Sequence, residues 1–290
     1  MKSICISIIL LFSILASSNK SYAQDEFPVL EGPYLGQKPP GTIAEIFAPG
    51  IVTSEKYSEV EGMFTPDMKS FYFVKCDGKA YETCHLDRFK NENNRWIKST
   101  VGYELTEPSF SPDGKILYLQ NKYMEQTNSG WSEVKSLDMP FKDIQIMRLS
   151  VSSKGTYFFD TYKRGANVPI RYSRLIDGKH EAPRVLSNKI NTGTANRHPF
   201  IAPDESYLIW DAVKENGYGK RDLYISFRQK DSSWGVAINL GDKVNTEDEE
   251  MFASVTSDGK YLFFDRRTST GENADIYWVD AQIIETLRPK

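Results

Sequence analysis

Five side chains recur at one phase of a repeated pattern, and four of them are of types that do chemistry: Glu61, Glu107, Arg148, His198 and Phe252. Each lies three residues before an apolar residue that opens a turn, at Phe64, Phe110, Val151, Ile201 and Val255. The four charged or titratable ones stand where strands otherwise favour apolar residues. Arg197 sits beside His198, and Glu250 lies close enough to Phe252 to take the polar role in that copy. Carboxylates and cations gathered in this way suit a polar ligand. They also suit one another, since Glu61 and Glu107 can pair with Arg148 or Arg197.

Other chemistry is scarce. A serine hydrolase needs a nucleophile turn such as Gly-x-Ser-x-Gly, and the chain has none. The three histidines, His85, His180 and His198, form no short ligand-spaced pair, so no metal centre is expected from them. The run Glu247-Asp248-Glu249-Glu250 is dense enough in oxygen to hold calcium, but its spacing matches no calcium loop. A solvated acidic loop is the favoured reading, and no cofactor is expected. Acidic side chains are otherwise too abundant to single out an acid and a base for polysaccharide cleavage.

The elements that must position the five residues come from an internal repeat. Phe64-Thr65-Pro66-Asp67-Met68-Lys69 before Ser70-Phe71-Tyr72-Phe73 matches Phe110-Ser111-Pro112-Asp113-Gly114-Lys115 before Ile116-Leu117-Tyr118-Leu119 without gaps. Two further copies centre on Asp204 and Asp258, and the four aspartates are 46, 91 and 54 residues apart. The gap of 91 holds a worn copy, Val151-Ser152-Ser153-Lys154-Gly155-Thr156, which has lost the Pro-Asp pair. Pro fixes φ, Asp bonds the neighbouring backbone and Gly accepts a left-handed conformation, so each copy reads as two strands joined by a tight turn. A third strand follows, as in Asp222-Leu223-Tyr224-Ile225-Ser226, and then a tryptophan-led fourth at Trp96, Trp131 and Trp234. These tryptophans are expected to pack between sheets, and Trp210 and Trp278 within the core.

Four short strands per copy is the plan of a propeller blade, so the fold expected is all-β, a five-bladed propeller of four-stranded blades. Six blades would need a copy the sequence lacks. The last blade has no fourth strand of its own, and Ala44 to Thr53 is placed to supply it and close the ring. The five in-phase residues would then face the entrance of the central channel.

The turn pattern resembles the WD40-like repeat of the TolB-type propellers, an apolar residue, a small residue, Pro-Asp-Gly-Lys and a Tyr/Phe-rich strand, which the copy from Phe110 to Leu119 fits throughout. The likeness runs from about Ile43 to Val279. It implies an architecture used by periplasmic binding scaffolds and by accessory domains of peptidases and lyases, so it does not fix a function. Unlike TolB, this chain has no room for an α/β domain ahead of the propeller.

Residues 1–23 read as a signal peptide: Lys2, an apolar run from Ile4 to Ala16 too short to span a bilayer, then Ser21-Tyr22-Ala23 before cleavage. Residues 24–42 form an N-terminal extension and 43–290 one propeller domain. A periplasmic or secreted location follows, with no transmembrane segment. The 36 Lys and Arg against 39 Asp and Glu, spread along the chain, argue against a nucleic-acid partner. The function expected is binding without catalysis, of an envelope or extracellular protein, peptide or glycan. The alternative is a polysaccharide hydrolase or lyase with carboxylates converging on the channel.

Once the leader is removed, Cys76 and Cys84 are the two remaining thiols, flanking a turn at Asp77-Gly78-Lys79. In an oxidising compartment they should pair. Peptide mapping of the mature protein without reductant is expected to recover them joined; alkylation of both before reduction would contradict this.

Overall fold

Each copy of the repeat folds as its own antiparallel sheet of four strands, and the five sheets stand around a common axis as a five-bladed propeller. The structure is a computed structural model that describes residues 30–77, 83–163, 168–268 and 273–290. The expected leader, the start of the mature chain at Gln24 and the turn residues Gly78 and Lys79 lie outside the described residues. Among the described residues no helix is long and apolar enough to cross a membrane.

The first strands of the blades, Ser58–Phe64, Pro108–Phe110, Ile146–Val151, Thr194–Ile201 and Glu249–Val255, line the axis and contact one another in ring order. Outside them run the second strands, Ser70–Asp77, Ile116–Leu119, Tyr157–Thr161, Tyr207–Val213 and Tyr261–Arg267. Ser58–Phe64 is buried at every position, because a blade has a neighbour on both faces.

The turn chemistry expected from the repeat is present. Asp67 accepts from Thr65 Oγ1 (2.6 Å) and the Lys69 N–H (3.0 Å), and Asp113 from Ser111 Oγ (2.6 Å) and the Lys115 N–H (3.1 Å). The residue after the aspartate is left-handed in every full copy, at Met68, Gly114, Glu205 and Gly259. The worn copy is repaired from outside. Ser152 Oγ takes the Thr156 N–H and donates to Glu205 Oε1 of the next blade at 2.9 Å.

Neighbouring blades are stitched at the residue after the inner-strand bulge. Ser109 Oγ donates to the Leu149 carbonyl, the Ile201 N–H to Ser150 Oγ (3.0 Å), and Ser254 Oγ to the Gly62 carbonyl (2.9 Å). Trp131 Nε1 donates to Tyr72 Oη one blade back (2.9 Å), and the ring of Trp234 packs edge-on against Phe158 of the preceding blade. Trp96 instead packs edge-on against Phe64 of its own blade and donates to the Gly32 carbonyl of the N-terminal extension. One correction concerns the fourth strands of two blades. They are Lys135–Ser136 and Ile238–Asn239, and Trp131 and Trp234 precede them in short pairings with the end of the third strand. Trp210 and Trp278 are in the core as expected.

The ring closes where the sequence placed it. Glu45–Ile46 pairs with Ala274–Asp280 of the last blade, Glu45 opposite Trp278 and Ile46 opposite Tyr277. Phe47 follows and is fully buried, its ring 4.6 Å from Phe71, 5.0 Å from Phe263 and 5.0 Å from Trp278. The extension before it is part of the same seam. Tyr34 touches Phe64 of the first blade and Tyr261 and Trp278 of the last. Cys76 and Cys84 face each other across the second and third strands of the first blade and are joined as a disulfide.

Phe47 therefore sits at the meeting point of the first and last blades. Phe47→Ala should lower unfolding free energy by about 3–5 kcal/mol, read as a reduced urea midpoint. A loss below about 1 kcal/mol would mean that closure rests on other contacts.

Candidate functional site

The inner strands depart from regular pairing at one level. Register shifts fall between Val60 and Met63, Ile146 and Leu149, Arg197 and Phe200, and Met251 and Ser254. Glu61, Glu107, His198 and Phe252 have φ of 60°, 58°, 48° and 55°. Left-handed backbone is costly for residues with a Cβ and marks places where structure over-determines conformation. Arg148 occupies the equivalent place in blade three. The phase found in the sequence is thus the phase of the bulge, and the bulge brings four polar side chains together on the axis.

A bulge leaves backbone N–H groups without a ladder partner. Here carboxylates accept them. The Glu61 N–H donates to both oxygens of Asp265 (2.9 and 2.8 Å), the Glu107 N–H to Glu61 Oε2 (2.6 Å), and the Arg148 N–H to Asp160 Oδ1 (3.0 Å). His198 Nδ1 lies 2.7 Å from Asp211 Oδ1, Arg221 Nη1 donates to Asp211 Oδ2 at 3.1 Å, and the His198 ring stacks on Phe252.

The resulting cluster of Glu61, Glu107, Arg148, Asp160, His198, Asp211 and Asp265 is buried. Burial pushes the Glu107 carboxyl well above the usual carboxylate range, and the Glu61 charge adds to the shift. Asp265 is driven well up by burial too; Glu61 and Asp160 are raised by burial, with Arg148 and His198 respectively opposing most. Four atoms of the cluster, Glu107 Oε2, Arg148 Nη1, Asp160 Oδ2 and His198 Nε2, find no hydrogen-bond partner in the protein.

Beyond the cluster the axis widens into a cavity of 410 Å³ that opens among the Pro-Asp turns and takes its lining from every blade. Met63, Phe64, Phe110, Val151, Phe200 and Val255 form much of its wall. Of the seven cluster residues only Arg148 reaches it. That guanidinium lies 5.6 Å from the Phe252 ring centroid and, among the described residues, makes no ion pair.

The residues singled out from the sequence separate into three groups. Glu61, Glu107, Arg148 and His198 do meet on the axis, but they lie buried below the surface and not at an open mouth, because the bulges turn them inward. Arg197 stays part-exposed, its Nη1 3.0 Å from Met147 Sδ. Glu250 stands apart: its carboxylate holds the Thr246 hydroxyl (2.6 Å) and Arg266 Nε (2.7 Å), ordering an interblade loop. Glu59 does the same for Ser54 in the first blade. Of the acidic run, Glu249 and Glu250 are ion-paired to Arg267 and Arg266. Among the described residues no group of three or more His, Cys, Asp or Glu is arranged to hold a metal ion. Sequence reasoning missed Asp160, Asp211 and Asp265. Their signal was an aspartate directly after the aromatic run of the second strand, in phase at Asp211 and Asp265 and one residue earlier at Asp160.

The sequence matches no protein-family model and no curated protein. Solved structures do resemble it. An endo-arabinase from Bacteroides thetaiotaomicron shares 12% identity with a TM-score of 0.50, over 84% of this chain and 97% of that one. TolB from Acinetobacter baumannii shares 15% at 0.46 over 78% of this chain, which spans 55% of the TolB chain. An α-L-arabinofuranosidase from Lactobacillus brevis shares 11% at 0.44, over 76% and 90%. At such identities the likeness is one of fold.

Burial raises the Glu107 carboxyl above its value in the unfolded chain, so ionising it opposes folding. Its folded value lies above its unfolded one, so stability should fall as pH rises from the ordinary carboxylate range toward the folded value, by up to about 1.4 kcal/mol per pH unit. Glu107→Gln removes the penalty. Its advantage over wild type, followed by urea denaturation, should grow from pH 5 to pH 7; a constant difference would show that Glu107 is ionised in the fold.

Proposed function

We propose that the protein is an exported binding propeller, acting in the periplasm or outside the cell, whose axial pocket at the turn face receives part of an envelope or extracellular partner. The pocket's walls support this: Arg148, buried and without an ion pair among the described residues, lines a cavity with largely apolar walls. Concave, mostly apolar sites with a few convergent polar groups are the usual form of a ligand pocket. A polysaccharide hydrolase or lyase would need two carboxyl groups flanking the bond to be broken. The five axial carboxylates do not line the cavity, and most of their oxygens are engaged by backbone N–H groups, His198 and Arg221. Binding is therefore the better use of this geometry.

Purified mature protein should bind a member of a panel of envelope peptides and glycans, measured by calorimetry, and release no sugar. Val255→Trp, which fills the pocket wall, should weaken that binding at least about tenfold, or 1.4 kcal/mol, with the thermal midpoint little changed. Full affinity in this variant would move the site to the outer loops, and released sugar would favour the hydrolase.

A further inference from the structure

The pocket is less polar than its residue types suggest. Of its serine and threonine hydroxyls, Ser109 donates to the Leu149 carbonyl, Ser111 to Asp113, Ser254 to the Gly62 carbonyl, Thr256 to Asp258 and Ser257 to the Pro66 carbonyl, and Ser150 accepts the Ile201 N–H. With those hydroxyls engaged in turns and stitches, the wall is methyl and aromatic surface apart from the Ser206 and Tyr207 hydroxyls and Arg288, and Arg148 is the one member of the axial cluster in its lining. Asp204 and Glu285, the acidic residues that line it, are engaged as well. Asp204 accepts the Ser206 N–H at 2.9 Å, and Glu285 is held by Arg288 at 2.7 Å.

Arg148 lies in the field of the axial carboxyls but makes no ion pair among the described residues, and a planar guanidinium is suited to bidentate contact with a carboxylate. The ligand chemistry that fits is one carboxylate attached to an apolar body. A sugar ring would bring hydroxyls to walls that have few free partners, and leaving those groups unpaired costs affinity. An acidic residue within a polypeptide would need two chain exits from a cavity that is sealed at its floor by the axial cluster. A chain end needs one. It also carries side chain and carboxylate on the same carbon, so a single residue can meet wall and floor together.

We infer that the pocket receives the C-terminal residue of a polypeptide, its apolar side chain against Phe110, Phe200 and Val255 and its carboxylate on the Arg148 guanidinium. This rests on the pocket being the binding site proposed above. The entering charge is felt by the whole axial cluster. Glu107 is faced by Glu61 of blade one, Arg148 and Asp160 of blade three and Asp211 of blade four. Glu61 is in turn faced by His198 and Asp265, with Arg197 and Arg267 acting on Asp160 and Asp265, and Arg221 bonded to Asp211. A new negative charge on Arg148 raises the proton affinity of the buried carboxyls, so binding takes up protons and strengthens as pH falls.

The test compares three probes on the mature protein by calorimetry: a short peptide ending in free leucine, the same peptide as its C-terminal amide, and dodecanoate. The acid should bind at least about tenfold tighter than the amide, with affinity rising about three- to tenfold per unit fall in pH between about pH 7.5 and 5.5. Buffers of different ionisation enthalpy should report proton uptake, reduced in Glu107→Gln without loss of low-pH affinity. Arg148→Lys, which keeps the charge and loses the fork, should cut the acid's affinity about tenfold and bring it near the amide's; if that variant fails to fold, the acid and amide comparison on wild type decides. Equal affinity for acid and amide, or pH-independent binding, overturns the inference. Tighter binding of dodecanoate than of the peptide assigns the site to a fatty acid and also overturns it. If neither peptide binds while another panel member is lost in Val255→Trp, the pocket stands as a binding site and the chain-end assignment falls.

Discussion

A backbone N–H buried on a propeller axis must find an acceptor, and in this protein the inner-strand bulges create several such groups at one level. Their acceptors are carboxylates: Asp265 for Glu61, Glu61 for Glu107 and Asp160 for Arg148. Once carboxylates are buried for that purpose, their charge has to be managed. Part of it is offset by Arg148 and Arg221, and burial raises the carboxyls, most of all Glu107 and Asp265. The electrostatics of the axis are thus a consequence of its backbone geometry. Arg148, the one member of this cluster that reaches the cavity, stands between the buried carboxyls and the solvent-facing walls.

The same economy governs the ring as a whole. Blades are joined by serine hydroxyls at the axis, by aromatic contacts at mid-depth and by tryptophans farther out. The seam between the first and last blades carries an extra layer, the N-terminal segment from Leu30 to Thr53, because a sheet completed from another part of the chain has no covalent turn to hold it. Phe47 and Tyr34 fill that role with rings that touch both blades.

Much of this was legible in the sequence, and the reason is repetition. Five in-phase copies of a turn and an aromatic strand specify blade number, and the absence of a fourth strand after Trp278 pointed to Ala44–Thr53 as its replacement. The phase of Glu61, Glu107, Arg148 and His198 was legible as well. Their depth was not, since a bulge is one extra residue in a strand and leaves no mark when each copy is read alone. Asp160, Asp211 and Asp265 were missed because an aspartate after a hydrophobic strand reads as the start of a loop. Glu250 was misplaced because its neighbour in space, Thr246, lies in a loop whose path the repeat does not dictate. The cavity depends on which hydroxyls are already engaged, and that is visible only in three dimensions.

Closure by the N-terminal strand also sets the order in which the molecule can be made. Glu45 leaves the ribosome long before its partner Trp278, which lies in the last blade. Blades one to four can each assemble from neighbouring stretches of chain, but the ring cannot lock until nearly all of it is present, and contacts this distant in sequence form slowly. Until then Phe47 and the face of the first blade that packs against the last are uncovered. The interval between the birth of that face and its covering is the period in which a chaperone would find this protein still accessible.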